Sequence, residues 1–123
     1  MSVRSHKDLV VWQKAMTLVE CVYALTAQFP AVEKYRMVDQ LTRAAVSVPA
    51  NIAEGHARST RKDYAHFVSI ALGSLAEVET YLILCERLGY ATTAQLAPTA
   101  ALVEEVGKML NVLRVRLLPA RSP

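Results

Sequence analysis

Few residues in this chain are of types that could carry chemistry, and they are scattered. The side chains that could bind a transition metal or supply a nucleophile are His6, His56, His66, Cys21 and Cys85. They form no metal-ligand spacing, and the paired Glu-x-x-His motifs of di-iron bundles are missing. Glu77 and Glu79 lie two residues apart on a predicted helix, so they do not face each other. There is also no Gly-rich phosphate loop and no nucleophile elbow. We therefore expect a protein that is not an enzyme and that binds no metal or cofactor.

A row of polar residues on the predicted second helix is the most unusual pattern. Its members fall within an arc of about 80° at about 100° per residue. They are Arg36, Gln40, Arg43, Ser47, Asn51 and Glu54. Small residues flank this polar row, so another helix could come close and bury it, but a solvated face is an equal alternative. If the row is packed, we expect Arg43 to pair with Glu54 through a bridging residue, or with an acidic residue of another helix or subunit. Direct contact is excluded because eleven residues span about 16 Å along a helix.

Four amphipathic segments must position these residues. Helix 1 is predicted over residues 7–28, and Phe29-Pro30 ends it because the residue before a proline avoids the α region. Helix 2 is predicted over residues 31–56, with Pro49 inside it and Gly55 as a left-handed stop near its end.

The signals at the ends of helices 3 and 4 are mostly caps. Ser59 or Thr60 caps helix 3, and Gly89 closes it. Helix 4 starts near residue 93, because Thr92 and Gln95 have capping-box spacing, and it ends before residue 119. The links are short and no segment has a strand pattern. The sequence thus predicts an all-α, up-down-up-down antiparallel four-helix bundle with one domain over residues 1–123.

Helix 1 carries two apolar stripes where a monomeric bundle helix needs only one. The first stripe is Leu9, Trp12, Met16, Val19 and Tyr23, and the second is Val11, Ala15, Leu18, Val22 and Leu25. We predict that another subunit covers the second stripe. Helix 3 adds a patch of small residues, Ala71, Gly73 and Ser74, where another helix could approach. These features predict a homo-oligomer.

Composition sets broad limits. The chain has 123 residues, of which 53% are hydrophobic and 20% charged, which excludes a disordered protein. No apolar run reaches the ~18 residues of a membrane span, so we expect no membrane partner. The N-terminal MSVRSHKD lacks the apolar segment of a signal peptide, and we expect a cytoplasmic protein with free thiols.

The predicted topology collects positive charge at one end of the bundle. Both termini and the turn between helices 2 and 3 lie at this end, which we call the basic pole. It contains Arg4, Lys7, Arg58, Arg61, Lys62, Arg114, Arg116 and Arg121. Only Asp8, Glu54 and Asp63 oppose them. Such a pole suits contact with a phosphate backbone of RNA or DNA. Alternatively these residues only complement a helix C-terminus and solubilise the turn, where we expect them to contribute little to packing.

Several segments resemble a known family. They are DLVVWQKAMTLV, FPAVEKYRMVDQLTRAAVSVPANIAEG, RSTRKDYAHFVSIALGSLAEVE and LGY, within residues 8–90. The chain resembles the bacterial four-helix bundle proteins also called 23S ribosomal-RNA intervening-sequence proteins. This family is similar to the accessory variability determinant of diversity-generating retroelements, a basic pentameric barrel that binds a reverse transcriptase and nucleic acid. The resemblance implies a homopentamer and supplies no catalytic residues.

Two functions fit these expectations, and a small-molecule or nucleic-acid-processing enzyme that uses the polar row is a weaker third option. The first is a non-enzymatic oligomeric scaffold that contacts RNA or DNA through the basic pole. The alternative is a protein–protein interaction module with no nucleic-acid role, in which the basic residues serve solubility.

Overall fold

The protein is an all-α, up-down-up-down four-helix bundle, as predicted. The computed structural model describes residues 5–119, apart from the side chains of residues 34 and 35. Within that range the chain has no strand, and its α-helices are α1 (Val10–Thr26), α2 (Asp39–His56), α3 (Arg61–Arg87) and α4 (Thr93–Leu117). Each helix packs on the next, and α4 packs back on α1. This closed arrangement places the start of α1, the α2–α3 turn and the end of α4 at one end of the bundle.

The first half of the chain departs from ideal α-helix in both predicted helices. A 3₁₀ turn, His6–Asp8, precedes α1, and the extended backbone of Leu9 separates the two. Helix 1 therefore begins later than residue 7. A 3₁₀ turn, Ala31–Glu33, and a π-helical segment, Lys34–Val38, lead into α2, which then runs through Pro49.

The predicted caps of α3 and α4 are confirmed. The Thr60 hydroxyl accepts a hydrogen bond from the backbone N–H of Asp63 at 3.1 Å. Thr92 and Gln95 form a reciprocal capping box, with distances of 2.8 and 3.1 Å. Gly89 lies directly after the C-cap residue of α3 and has a φ of 78°, the left-handed conformation that closes a helix. These local signals were sufficient because each needs only residues three or four positions apart.

Gly55 has a different role from the one predicted. Gly89 is the only glycine between residues 5 and 119 with a positive φ, so Gly55 is not a left-handed stop. It lies buried in the last turn of α2 and faces α3. A Cβ atom built on Gly55 would lie 2.9 Å from Phe67 Cβ and 2.9 Å from Tyr64 Cδ1. The glycine therefore allows α2 and α3 to approach closely.

The two apolar stripes of α1 are used in the opposite way from the prediction. The whole second stripe is buried in the protomer's own core, where Leu18 is fully inaccessible. In the first stripe Met16 and Tyr23 are exposed, whereas the other three residues are half-buried at the edge of the core. Periodicity alone could not decide this, because a small rotation of the helix about its axis exchanges two adjacent stripes.

α3 is long and apolar enough to cross a membrane by length and composition, contrary to expectation. The core helix of a bundle meets the same criterion. α3 buries Val68, Leu75 and Val78 in the bundle core, and α2 and α4 both pack against it. This finding by itself does not indicate a membrane span, and the absence of a membrane partner stays a prediction.

Gly55→Ala should destabilise the bundle although alanine favours a helix. The added methyl group would be too close to Phe67 and to the backbone of Tyr64. We expect a net loss of about 1–3 kcal/mol in the free energy of unfolding, measured by urea denaturation. Gly73→Ala is the matched control, since nothing lies within 4 Å of its added Cβ. It should gain up to about 1 kcal/mol from helix propensity. Equal effects of the two substitutions would contradict a close approach at Gly55.

Candidate nucleic-acid interface at the basic pole

Three segments of the chain meet at the basic pole. The Arg61 guanidinium, in the first turn of α3, donates hydrogen bonds to the backbone carbonyls of Arg116 and Leu117 at the end of α4. Arg116 also lines a groove with Leu9 and Val10, at the start of α1. The predicted convergence of these segments is therefore present in the structure. The terminal residues Arg4 and Arg121 lie outside the described residues.

Arg61 is a structural residue as well as a charge. The last carbonyls of a helix have no partner within it, and they carry the negative end of the helix dipole. Arg61 satisfies two of these groups on α4 from the neighbouring helix. The expectation that the turn contributes little to packing is therefore wrong for Arg61.

The other cations of the basic pole differ in whether they already contact a side chain of the protomer. Arg58 forms an ion pair with Glu54, and its guanidinium lies 4.7 Å from the centre of the Phe67 ring. Arg114 donates to Asn111 Oδ1 at 3.1 Å. In the described part of the chain, Lys7, Lys62 and Arg116 are exposed, and none of them forms a side-chain ion pair. These last three are the cations best placed to meet an external anion.

The polar row of α2 divides into solvated ends and a packed centre. Arg36 and Gln40 are exposed. Arg43 pairs with Asp39 of its own helix at 3.1 Å, with 78% of its side chain exposed. The predicted pairing of Arg43 with Glu54, or with an acidic residue of another helix, is therefore wrong within this chain. Arg43 and Asp39 lie one helical turn apart on the same helix, which is the usual spacing of such a pair.

Only Ser47 and Asn51, at the centre of the row, take part in a polar network. The Ser47 hydroxyl lies 2.8 Å from the hydroxyl of Ser74, which is buried on α3. The Asn51 side-chain amide donates to Ser47 O at 2.8 Å and to Ser47 Oγ at 2.9 Å. The network ties α2 to α3. It uses Ser74 of the predicted small-residue patch, whereas Gly73 of that patch faces open space.

The opposite end of the bundle is held by a contact that sequence reasoning missed. Tyr90 donates its hydroxyl proton to Glu33 Oε1 at 2.8 Å, which joins the α1–α2 link to the α3–α4 link. This bond raises the pKa of Tyr90, as does burial. The two residues are 57 positions apart, so only the up-down-up-down topology, which places both links at one end, could have suggested the pair.

No group of side chains in residues 5–119 has the arrangement of a metal site. No three His, Cys, Asp or Glu side chains in that range could hold an ion together. Both cysteines are free, as expected, and Cys85 is buried whereas Cys21 is half-buried. Burial, followed by the nearby charge of Glu33, raises the pKa of the Cys85 thiol to about 11. Cys85 is therefore protonated at neutral pH and unsuited to nucleophilic attack.

A four-helix bundle with a basic pole is thus the class of protein that fold and charge define. The family model described as 23S rRNA-intervening sequence protein matches residues 7–112. The chain belongs to this family. A crystal structure of a protein of unknown function from the S23 ribosomal protein family of Bacteroides thetaiotaomicron VPI-5482 is similar, with a TM-score of 0.77 and 26% identity. The match covers 85% of this chain and 98% of that one. No curated protein matches the chain.

Ser74→Ala and Arg43→Ala should differ in their effect on stability. Ser74→Ala removes the buried partner of Ser47 and should cost about 1 kcal/mol of the free energy of unfolding. Arg43→Ala removes an exposed pair and should cost less than about 0.5 kcal/mol. Thermal or urea denaturation, with the two variants measured side by side, checks this order. A loss of several kcal/mol for Arg43→Ala would instead mean that a second subunit buries the row.

Proposed function

We propose that this protein is a non-enzymatic, oligomeric helical scaffold that contacts RNA or DNA through the basic pole. The observation that carries the proposal is the convergence of Lys7, Lys62 and Arg116, from three separate segments, on one end of the bundle. Lys62 and Arg61 line a groove together with Leu117, at the end of α4. Membership in the 23S rRNA-intervening sequence protein family supports a connection with RNA only through the family's name.

The charge of one pole suits weak, sequence-independent contact with phosphates. Each cation that neutralises a phosphate releases bound counterions, and this release drives binding at low salt. The aromatic rings nearest these cations already contact another ring within the protomer, His6 with Trp12 and His56 with Tyr64. Recognition of sequence is therefore not expected, and binding should fall steeply as salt rises.

Self-association would multiply this weak contact. In an oligomer with parallel subunits each copy adds its cations to the same rim, which raises the local positive potential. The resemblance to a basic pentameric barrel suggests five copies. The outward apolar residues Met16, Tyr23 and Val46 support association, because they leave apolar surface unpaired on the protomer.

Light scattering coupled to size exclusion tests the assembly. At micromolar concentration we expect a mass about five times that of the 13.6 kDa subunit. A monomeric mass across the accessible concentration range would contradict the oligomeric part of the proposal. Leu18→Glu is not a useful disrupting variant, because that residue lies in the protomer core and the substitution would unfold it.

Neutralising three cations of the basic pole should strongly weaken nucleic-acid binding. The variant Lys7→Gln/Lys62→Gln/Arg114→Gln leaves Arg61, Arg116 and the end of the α4 backbone intact. Fluorescence anisotropy with a structured RNA and a DNA duplex at low salt should give an affinity more than about tenfold lower than that of the parent. The slope of log affinity against log salt should flatten by roughly 2 to 3 per subunit, since each phosphate contact contributes about 0.9.

The matched control removes the same charge from elsewhere on the bundle. The variant Arg36→Gln/Arg43→Gln/Arg87→Gln alters three exposed arginines outside the basic pole. It should bind nearly as tightly as the parent, because net charge alone is not responsible. Equal loss in both variants, or no binding by the parent at low salt, would leave the protein–protein interaction module as the better explanation. In that case capture of a protein partner, insensitive to nuclease, is expected.

A further inference from the structure

Two apolar grooves run along opposite sides of α4, and their rims carry opposite charge. The acidic groove lies between α3 and α4 and has a volume of about 210 Å³. Its lining includes Glu79, Ile83, Glu86, Leu96, Ala100 and Val103. The basic groove lies between the start of α1 and the second half of α4 and has a volume of about 360 Å³. Its lining includes Leu9, Val10, Lys108, Met109, Val112 and Arg116.

The charged rims have matching spacing. Glu79 and Glu86 are seven residues apart on α3, a rise of about 10.5 Å, and Lys108 and Arg116 are eight apart on α4, a rise of about 12 Å. Between each pair, one exposed aliphatic side chain lines the groove. Ile83 is 47% exposed and Val112 is 50% exposed. Each surface therefore has an apolar centre between two charges of the same sign, which lie about two helical turns apart. The two surfaces carry opposite signs.

We infer that a second copy of this chain occupies these grooves, with the α3 rim of one copy, Glu79–Ile83–Glu86, packed on the α4 rim of the next, Lys108–Val112–Arg116. The inference rests on the self-association proposed above and names the surfaces that make it. In the assembly Arg116 would face a glutamate of the next copy, and Lys7 and Lys62 would be the exposed cations left for a phosphate backbone. Ile83 would enter the basic groove, and Val112 the acidic groove. Burying both apolar centres removes surface that the monomer leaves in water.

Contacts within the protomer do not block this arrangement. Lys108 pairs with Glu104 at 3.2 Å, but more than 70% of each side chain is exposed, so the pair is weak and can be exchanged. Glu86 accepts a hydrogen bond from the Thr93 hydroxyl through Oε1, which leaves its other oxygen available. Arg116 and Glu79 form no ion pair in the described part of the chain.

The contact joins two different surfaces, so it is heterologous. Every copy keeps one unused groove after the first contact, and addition continues until a ring closes. The acidic groove lies beside the first half of α4 and the basic groove beside its second half. Adjacent copies are therefore staggered by roughly 18 Å along the bundle, and a closed ring requires that the bundles tilt relative to the ring axis.

Charge reversal on each surface in turn tests the inference. The acidic-side variant Glu79→Lys/Glu86→Lys and the basic-side variant Lys108→Glu/Arg116→Glu place like charges in contact. Analytical ultracentrifugation should give an apparent dissociation constant more than about tenfold higher for each variant than for the parent. The quadruple variant, with both reversals in one chain, restores opposite charges and should recover the parental mass. Recovery distinguishes a specific contact from general damage, and circular dichroism checks that every variant stays helical.

The control variant is Glu20→Lys/Glu77→Lys, which makes the same change of charge at two exposed glutamates outside both grooves. It should keep the parental mass. The inference is wrong if the control dissociates as much as the acidic-side variant, or if the quadruple variant stays dissociated while helical. If the parent associates and both charge-reversal variants keep the parental mass, these two surfaces are not the contact, but the proposed oligomer is still supported. The exposed residues of the first stripe of α1 are then the next candidate surface. A monomeric parent overturns both.

Discussion

The close approach of α2 and α3 is the constraint on which the rest of the bundle depends. It is possible because Gly55 has no side chain where Tyr64 and Phe67 pack. With those rings in place, Arg58 lies over the outer face of Phe67, and α3 begins at Arg61, only five residues after α2 ends. A turn fixed in this way directs the Arg61 guanidinium onto the last carbonyls of α4. One missing methyl group thus influences the position of a helix end far along the chain.

Each end of the bundle is held together by a hydrogen bond between segments that are far apart in the sequence. At the basic pole a guanidinium from one connection satisfies backbone carbonyls of another helix. At the other end a carboxylate from one link accepts a hydrogen bond from Tyr90 of another. In both places a hydrogen bond between residues more than 50 positions apart joins two segments of the bundle, and at the basic pole it also satisfies unpaired carbonyls of a helix end. Charges that stabilise the fold in this way are less available to a ligand. The number of basic residues at the pole therefore overstates how many of them can contact an external anion.

In the proposed scaffold, charge and assembly would be linked. The few free cations of one copy would hold a phosphate backbone only weakly at physiological salt, because each contact is screened and replaceable. Repetition of the same cluster around the proposed oligomer would make the later contacts intramolecular, which would raise overall affinity without any new residue. The opposite charges on the two sides of α4 would favour the same assembly. A bundle whose two faces differ in charge associates head to tail more readily than face to face. Family membership is compatible with such a scaffold and does not name its partner.

The sequence by itself determined the helical class of the fold and the ends of α3 and α4. The Thr60 cap, the Thr92–Gln95 capping box and the left-handed Gly89 depend on neighbouring residues, and apolar periodicity with short links sufficed for an all-α bundle. Only the tertiary structure decided which stripe of α1 faces the core, because that depends on the rotation of the helix against its neighbours.

Tertiary packing also decided what individual polar and small residues do. Ser47 is part of a network because Ser74 of α3 lies opposite it, whereas Arg43, four residues earlier on the same row, meets solvent. Gly55 suited a helix stop by local rules but serves interhelical contact, and Arg61 suited a solvated turn but binds the end of α4. Each outcome depends on a partner dozens of positions away or on the neighbouring helix face. Sequence spacing fixes which residues share a face, but not what that face meets.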